Sequence, residues 1–423
     1  MSIGLKSKMS KDVIWTFTIQ MTIMVCAFAV TKILSNRLSI DDFGQYNLIK
    51  RSVQVLSFVM LAGVGIALPR YIPLYQKSAQ PKPISPLLAA SIIYIIGVSL
   101  LVCIICTIFR SQVQQLILGE TKNTTLLAIV LSYAFILAMS QFAYAYYRGT
   151  GNFKWYNGSN LAIQLAIIVP LIALHTLTTM SVFVSWFIIT AVLTAFFLIR
   201  EMHNTGRIAI ECNSVKTELR TIVNYSFGRL LADFFLFSLA AFPLIYITSK
   251  HGLQPTAYYS VGITFVTMVT PLYSFMGIIL LPYVSEAIAK NELHKADRFI
   301  KKLTLFYIGS SIFAIAFIYV FIDFLTCFFF ADSYLTTTKL SQIMILSILP
   351  QALYLLYRNP IDAVSVVPYN TIILGICFVF MVLLFHFSNT LTELAWAYIY
   401  VSLLQGVLSY ITWFVLCRKK QQS

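Results

Sequence analysis

The sequence predicts an all-α polytopic membrane protein with about 12 transmembrane helices in two related six-helix lobes around a central cavity. Three observations predict it. Hydrophobic residues make up 59% of the 423-residue chain and charged residues 11%, whereas about a quarter of a soluble domain is charged. Apolar runs of about 18 to 25 residues recur along the whole chain, each long enough to cross a bilayer. They lie at roughly 13–34, 46–69, 87–109, 123–147, 158–175, 181–199, 226–248, 257–281, 303–325, 337–357, 368–386 and 393–416. Finally, a polar signature repeats. Gln141-Phe142-Ala143-Tyr144-Ala145-Tyr146-Tyr147-Arg148 returns 210 residues later as Gln351-Ala352-Leu353-Tyr354-Leu355-Leu356-Tyr357-Arg358, sharing Gln, Tyr, Tyr and Arg. A repeat spaced by about half the chain implies two related halves. With six spans each, the halves share one orientation, related by an axis along the membrane normal. The join falls between Arg200 and Asn224, giving lobes at 1–212 and 213–423.

In chain order, the first run follows Lys6, Lys8 and Lys11. It exceeds the length of a signal-peptide core, and more spans follow, so it reads as an uncleaved first helix. The outer loop Ser35–Gln45 carries Asp41, Asp42 and Gly44 and leads into the second span. That span is expected to stop at Pro69, because proline lacks the N–H a helix interior needs. Tyr46 to Pro69 is about 35 Å of helix, and Tyr259 to Pro282 repeats the distance at an offset of 213. Tyr156-Asn157 matches Tyr369-Asn370 at the same offset. The long inner segments are Pro69–Pro86, Arg200–Asn224 and Pro282–Lys302, and the charged stretch 291–302 is expected to form a helix on the membrane surface. No loop has the length of a soluble catalytic domain.

The net charge of +15 invites a nucleic-acid partner, but its distribution argues against one. With the N-terminus inside, 21 of the 30 Lys and Arg fall in tails and inner loops, five outside and four within spans. That is the positive-inside bias, so both termini are expected in the cytoplasm, with the inner loops facing anionic membrane lipids. Cys103-x-x-Cys106 lies inside an apolar run and reads as small residues of a membrane helix. The sequence holds no phosphate loop, no metal-spaced His pair and no D-x-D. No enzyme activity, catalytic residue, metal or cofactor is expected.

Ionisable groups inside spans are costly and usually functional. Lys50 and Arg51 lie near the outer end of the second span, where the charge rule leaves few cations, and Ile263 and Thr264 stand at the matching positions of the second half. Lys50, Gln54 and Ser57 follow a helical stripe. Lys32, in the first span, either joins them or snorkels to the outer headgroups. On a helix Gln141, Tyr144 and Arg148 share one face, as do Gln351, Tyr354 and Arg358. They line a cavity, or else the arginines snorkel and the tyrosines form an aromatic belt. The stripes suit halves facing across a cavity that passes a large anionic lipid-linked substrate. Arg229 and Asp233 lie four apart in the seventh span. They pair with each other, or Asp233 couples the cycle to a proton or sodium ion.

Leu38-Ser39-Ile40-Asp41-Asp42-Phe43-Gly44-Gln45-Tyr46 resembles the first outer turn of the polysaccharide flippases, the Wzx-like branch of the multidrug/oligosaccharidyl-lipid/polysaccharide exporters. Gly63-Val64-Gly65-Ile66-Ala67-Leu68-Pro69-Arg70-Tyr71 resembles the end of that family's second helix, and Arg148-Gly149-Thr150-Gly151-Asn152-Phe153 the turn after its fourth. The second half departs from these motifs: Arg358-Asn359-Pro360 lacks the glycines, and His251 to Ala257 lacks the acidic pair. The resemblance implies a central cationic cavity, alternating access, and export of an undecaprenyl-pyrophosphate-linked oligosaccharide, such as an O-antigen unit, across the bacterial inner membrane. It places the cationic role on Lys50 and Arg51, with Lys32 beside them. A drug or metabolite antiporter of the same fold is the alternative. A membrane glycan polymerase would carry a large outer loop, and every outer loop here is short.

Overall fold

The computed structural model describes residues 2–77, 82–119, 123–204, 212–290, 292–365 and 367–422. Among the described residues the chain is helical, with no strand. Among the described residues ten helices are long and apolar enough to cross a membrane, or eleven spans if a bent pair is counted as one. The remaining expected run, 257–281, lies within a helix of 37 residues that has several side chains outside the described set. The protein is multi-pass. Its outward-facing side chains have the composition that lipid demands: Phe313 and Val320 are each 72% exposed, which in water would be an aggregation liability.

The chain divides into two compact units. The first comprises Met1–Phe237 with Thr248–Leu253, and the second Ser238–Ile247 with Gln254–Ser423. The first unit holds α1 (Ser2–Arg37), α2 (Ile40–Leu61), α3 (Val64–Lys77), α4 (Ser85–Ile108), α5 (Arg110–Leu118), α6 (Thr124–Gly149), α7 (Phe153–Ala166), α8 (Ile168–Ala173) and α9 (Thr179–Asn204). Helix α10 (Cys212–His251) contributes its first half to the same unit. The polar turn around Ser39 is a helix cap. Ser39 Oγ accepts from the Asp42 N–H at 3.1 Å and donates to Asp42 Oδ2 at 2.8 Å. Asp41 and Asp42 add negative charge to the first turn of α2, where the helix dipole favours it. Below the cap, Tyr46 is fully buried against Phe43, Phe183 and Trp186, with ring centroids 5.8–6.0 Å apart. Helix α6 lies against α2, α3 and α9. Arg37 donates to the carbonyls of Leu171, Leu174 and His175, each at 2.7 Å, closing the end of α8.

The second span does not stop at Pro69. It breaks seven residues earlier, at Ala62 and Gly63, both left-handed with φ of 50° and 78°, and resumes as α3 at an angle of 40°. A Cβ on Gly63 would lie 2.8 Å from Ser226 Cβ of α10, so glycine is needed for space as well as for φ. Proline 69 then sits inside α3. It removes the intrahelical donor for the carbonyl four residues back, Gly65. Arg148 replaces that donor, Nη2 to Gly65 O at 3.0 Å. Helix α6 comes this close because Gly149 has no side chain: a Cβ there would lie 3.0 Å from Leu68 O. Since Ala62 bears the left-handed penalty of about 1–2 kcal/mol, Ala62→Gly is expected to raise the thermal midpoint of the detergent-purified protein. Gly63→Val is expected to lower it by several degrees. An unchanged midpoint in both would place the break elsewhere.

The second unit holds Ser238–Ile247 of α10, then α11 (Leu253–Ala289), α12 (Leu293–Val320), α13 (Ile322–Phe329), α14 (Thr338–Met344), α15 (Ile348–Val364), α16 (Tyr369–Phe387) and α17 (Leu391–Gln422). The charged stretch expected to lie apart as a surface helix instead opens α12: from Leu293 onward it continues into the apolar span without a break. Helix α15 packs against α17 and α12. A Cβ on Gly406 would lie 2.8 Å from Pro350 O, so α17 meets α15 backbone to backbone. Thr390 and Glu393 form a reciprocal cap on α17: Thr390 Oγ1 accepts from Glu393 N at 3.2 Å, and Glu393 Oε2 accepts from Thr390 N at 3.3 Å and from Asn389 N at 2.7 Å. This echoes the Ser39–Asp42 cap of the first unit and fits the capping-box rule.

Candidate functional site

Lys50 and Arg51 occupy successive positions on α2, one turn below Tyr46, and both are half-buried. Lys50 Nζ stands 5.6 Å from the centre of the Tyr46 ring, a cation–π distance. Arg51 Nη1 donates to Gln54 Oε1 at 3.4 Å, and Ser57 Oγ donates to the Gln54 carbonyl at 3.0 Å. The hydrogen-bonded strip on α2 therefore runs Arg51–Gln54–Ser57, while Lys50, expected to share a stripe with Gln54 and Ser57, stands by the Tyr46 ring. Adjacent like charges repel each other. Lys32 lies on α1 and is exposed. Helix α1 is pinned to α7 by Asn157 Nδ2 donating to Thr16 Oγ1 at 2.9 Å.

The repeated stripe is built differently in the two units. In α6, Gln141 and Arg148 are exposed and Tyr144 is buried, its ring 6.0 Å edge-on from Tyr156. Arg148 holds the Gly65 carbonyl and stands 5.8 Å over Tyr156. In α15, Gln351 Nε2 reaches Tyr398 Oη at 2.9 Å and Ser402 Oγ at 3.3 Å, tying α15 to α17. Tyr354 is buried and Arg358 half-buried. Asn370 Nδ2 donates to the Arg358 carbonyl and to Asp362 Oδ1, both at 2.8 Å. The paired residues Asn157 and Asn370 thus each tie a helix start to a neighbour. Arg229 and Asp233 lie outside the residues with described side chains.

Sequence reasoning missed a set of arginine–aromatic pairs in the first unit. Arg200 Cζ lies 3.4 Å over the Trp155 ring and its Nη1 bridges Glu201 at 2.9 Å. Arg70 lies 4.7 Å over Tyr225 and 5.9 Å over Tyr71. Only the i, i+4 spacing of Tyr71 and Tyr75 is visible in the sequence. Tyr225 is distant in sequence and reaches them through the packing of α10 on α3.

A model of the polysaccharide biosynthesis protein family matches residues 9–288, the span that contains Lys50, Arg51 and the α2–α3 break. The chain belongs to the polysaccharide biosynthesis protein family. A sequence search of curated proteins finds no significant match. Among solved structures, this family member is similar to an inward-facing multidrug resistance MATE family transporter of the MOP superfamily. The TM-score is 0.74 at 13% identity, covering 95% of this chain and 96% of that one. It is similar also to the lipid II flippase MurJ in an inward closed conformation, with TM-score 0.73, 14% identity and coverage of 96% and 87%. A MOP superfamily transporter from Pyrococcus furiosus, described as having reversed pocket polarity, matches at TM-score 0.64 and 12% identity, covering 97% and 95%. The member therefore has the transporter fold of that superfamily, and at these identities the likeness concerns the fold.

Proposed function

We propose that the protein is a flippase that carries undecaprenyl-diphosphate-linked oligosaccharide units, of the kind used for O-antigen, from the cytoplasmic to the outer leaflet of a bacterial inner membrane by alternating access. The observation that carries this reading is the Lys50–Arg51 pair, set within a span of a polysaccharide biosynthesis family member. A diphosphate cannot enter hydrocarbon bare, because burying unpaired charge is prohibitive. Charge-assisted hydrogen bonds from lysine and arginine offset that cost, while the prenyl tail stays in lipid. Lys32 near the same outer level, and Gln141, Arg148 and Arg358 on the repeated stripes, are proposed as further contacts, with Tyr144 and Tyr354 shaping the walls behind them. A deletion strain should accumulate lipid-linked oligosaccharide on the inner leaflet. Unimpaired surface glycan in that strain would end this reading. The MATE likeness favours drug export as the second reading, for which overexpression would raise drug resistance with no change in glycan.

Coupling to a proton or sodium gradient is assigned to Asp233. If Asp233 merely pairs with Arg229, neutralising both residues should restore transport lost by neutralising one. If Asp233 carries the ion, the folded double variant stays inactive. Both termini are assigned to the cytoplasm from the Lys/Arg asymmetry. A cytoplasmic reporter fused after Ser423 should be active and an exported reporter silent; the reverse result would invert the topology.

A further inference from the structure

Beyond Lys50 and Arg51, the first unit carries a second cationic group at the far end of the α2–α3 span. Tyr71, Tyr75 and Tyr225 form a run of edge-to-face rings, with centroids 6.1 Å apart for Tyr71–Tyr75 and 5.4 Å for Tyr71–Tyr225. A cation stands over each end. Arg70 lies 4.7 Å from the Tyr225 ring centre, and Lys82 Nζ 5.6 Å from the Tyr75 ring centre. Lys82 is brought back by its own backbone, the Lys82 N–H donating to Tyr75 O at 3.0 Å. Tyr75 Oη donates to Glu218 Oε2 at 2.7 Å, which fixes the pad to α10. The three rings are half-buried, and both cations are exposed. The rings thus hold the cationic side chains in place, one Arg70 donor engaging the Tyr225 side chain, and both cations stay exposed to solvent.

We propose that Arg70, Lys82, Tyr71, Tyr75 and Tyr225 form a loading site for the sugar–diphosphate junction of the substrate before it enters the span. The chemistry selects that ligand. Arginine offers a planar fork for phosphate oxygens and lysine a mobile point charge, so two linked phosphates can be shared between them. Arg70 and Lys82 stand over the Tyr225 and Tyr75 rings, so Tyr71 between them is the ring proposed to meet the apolar C–H face of a sugar. A lone phosphate would use the cations and leave the rings idle. This proposal rests on the flippase reading, which puts a glycosyl diphosphate at the cytoplasmic surface. A lipid-linked donor and a soluble nucleotide-sugar present the same junction, and the test separates them.

The test uses the full-length protein in nanodiscs of uncharged phosphatidylcholine. The probe is a short-chain prenyl diphosphate carrying one N-acetylhexosamine, and its affinity is measured calorimetrically. Arg70→Gln with Lys82→Gln is expected to weaken binding about 100-fold, roughly tenfold for each charge-assisted hydrogen bond removed. Lys154→Gln with Lys419→Gln removes the same net charge from α7 and α17, which carry none of the five residues, and should change affinity less than about twofold. Prenyl diphosphate without sugar should bind about tenfold more weakly than the probe, and a nucleotide-sugar more weakly still. Unchanged affinity in Arg70→Gln/Lys82→Gln, with or without a lower thermal midpoint, would reduce the cluster to a brace between α3 and α10 and overturn the site. So would displacement of the probe by phosphatidylglycerol at equal potency, equal binding of the sugar-free compound, or tighter binding of the nucleotide-sugar. The flippase reading is scored separately, by movement of a fluorescent lipid-linked glycan in proteoliposomes. Probe binding that depends on Arg70 and Lys82 without such movement sinks the transport reading and keeps the site; movement by wild type with a silent Arg70/Lys82 double variant does the opposite.

Discussion

Replacing Lys50 and Arg51 together with glutamine is expected to abolish export, lowering it about 100-fold or more, while the protein stays folded in the membrane. The magnitude follows from removing two charge-assisted hydrogen bonds of about 1.5–3 kcal/mol each. The fold should tolerate the change. Lys50 stands over the Tyr46 face, and Arg51 holds Gln54 through a long hydrogen bond of 3.4 Å. Glutamine keeps much of the stem and removes a repulsive pair of like charges. The measurement is glycan export in cells expressing the variant, with membrane level and thermal midpoint recorded alongside. Wild-type export from the double variant would remove both residues from the site. Single substitutions should fall between, with Arg51→Gln the more damaging because the guanidinium can grip two oxygens at once.

Removing Arg148 is expected to have two effects that a second substitution separates. Arg148→Ala leaves the Gly65 carbonyl without its side-chain donor, a cost of about 1–3 kcal/mol in stability. In a Pro69→Ala background the new backbone N–H of residue 69 can bond Gly65 O in the ordinary helical way, so the same substitution should cost less than about 0.5 kcal/mol. Such non-additivity is what two residues serving one acceptor require. Transport then decides the rest. If Arg148 is only the replacement donor for Pro69, the Pro69→Ala/Arg148→Ala protein exports normally. If its remaining guanidinium edge also grips phosphate, the double variant is stable yet impaired at least tenfold, and Arg148→Lys is impaired too. Equal destabilisation by Arg148→Ala in both backgrounds would mean the Gly65 hydrogen bond contributes little.

What the sequence by itself determined was the solvent and the bulk architecture. Lipid admits only helices or closed barrels, and apolar runs of about 18 to 25 residues fit a spanning helix and exceed a barrel strand; the expected runs fall on the helices found. That polar residues cluster on α2 was legible because residues three and four apart on a helix are neighbours; that Arg51 rather than Lys50 joins Gln54 and Ser57 was not. Nor was the place where the second span yields. Proline 69 was the local signal, yet a proline costs a helix only one donor, and Arg148, 79 residues further on, supplies a substitute. The break fell instead at Ala62–Gly63, where the backbone meets Ser226 of α10. The same reason explains the Arg70–Lys82 pad and the unequal roles of Gln141 and Gln351. Each depends on which helix comes to lie beside it, and periodicity within one helix carries no record of its neighbour. Tertiary packing alone brought Tyr225 to Arg70 and set Gln351 between α15 and α17, so that identical residues in a repeated motif became an exposed side chain in one unit and an internal tie in the other.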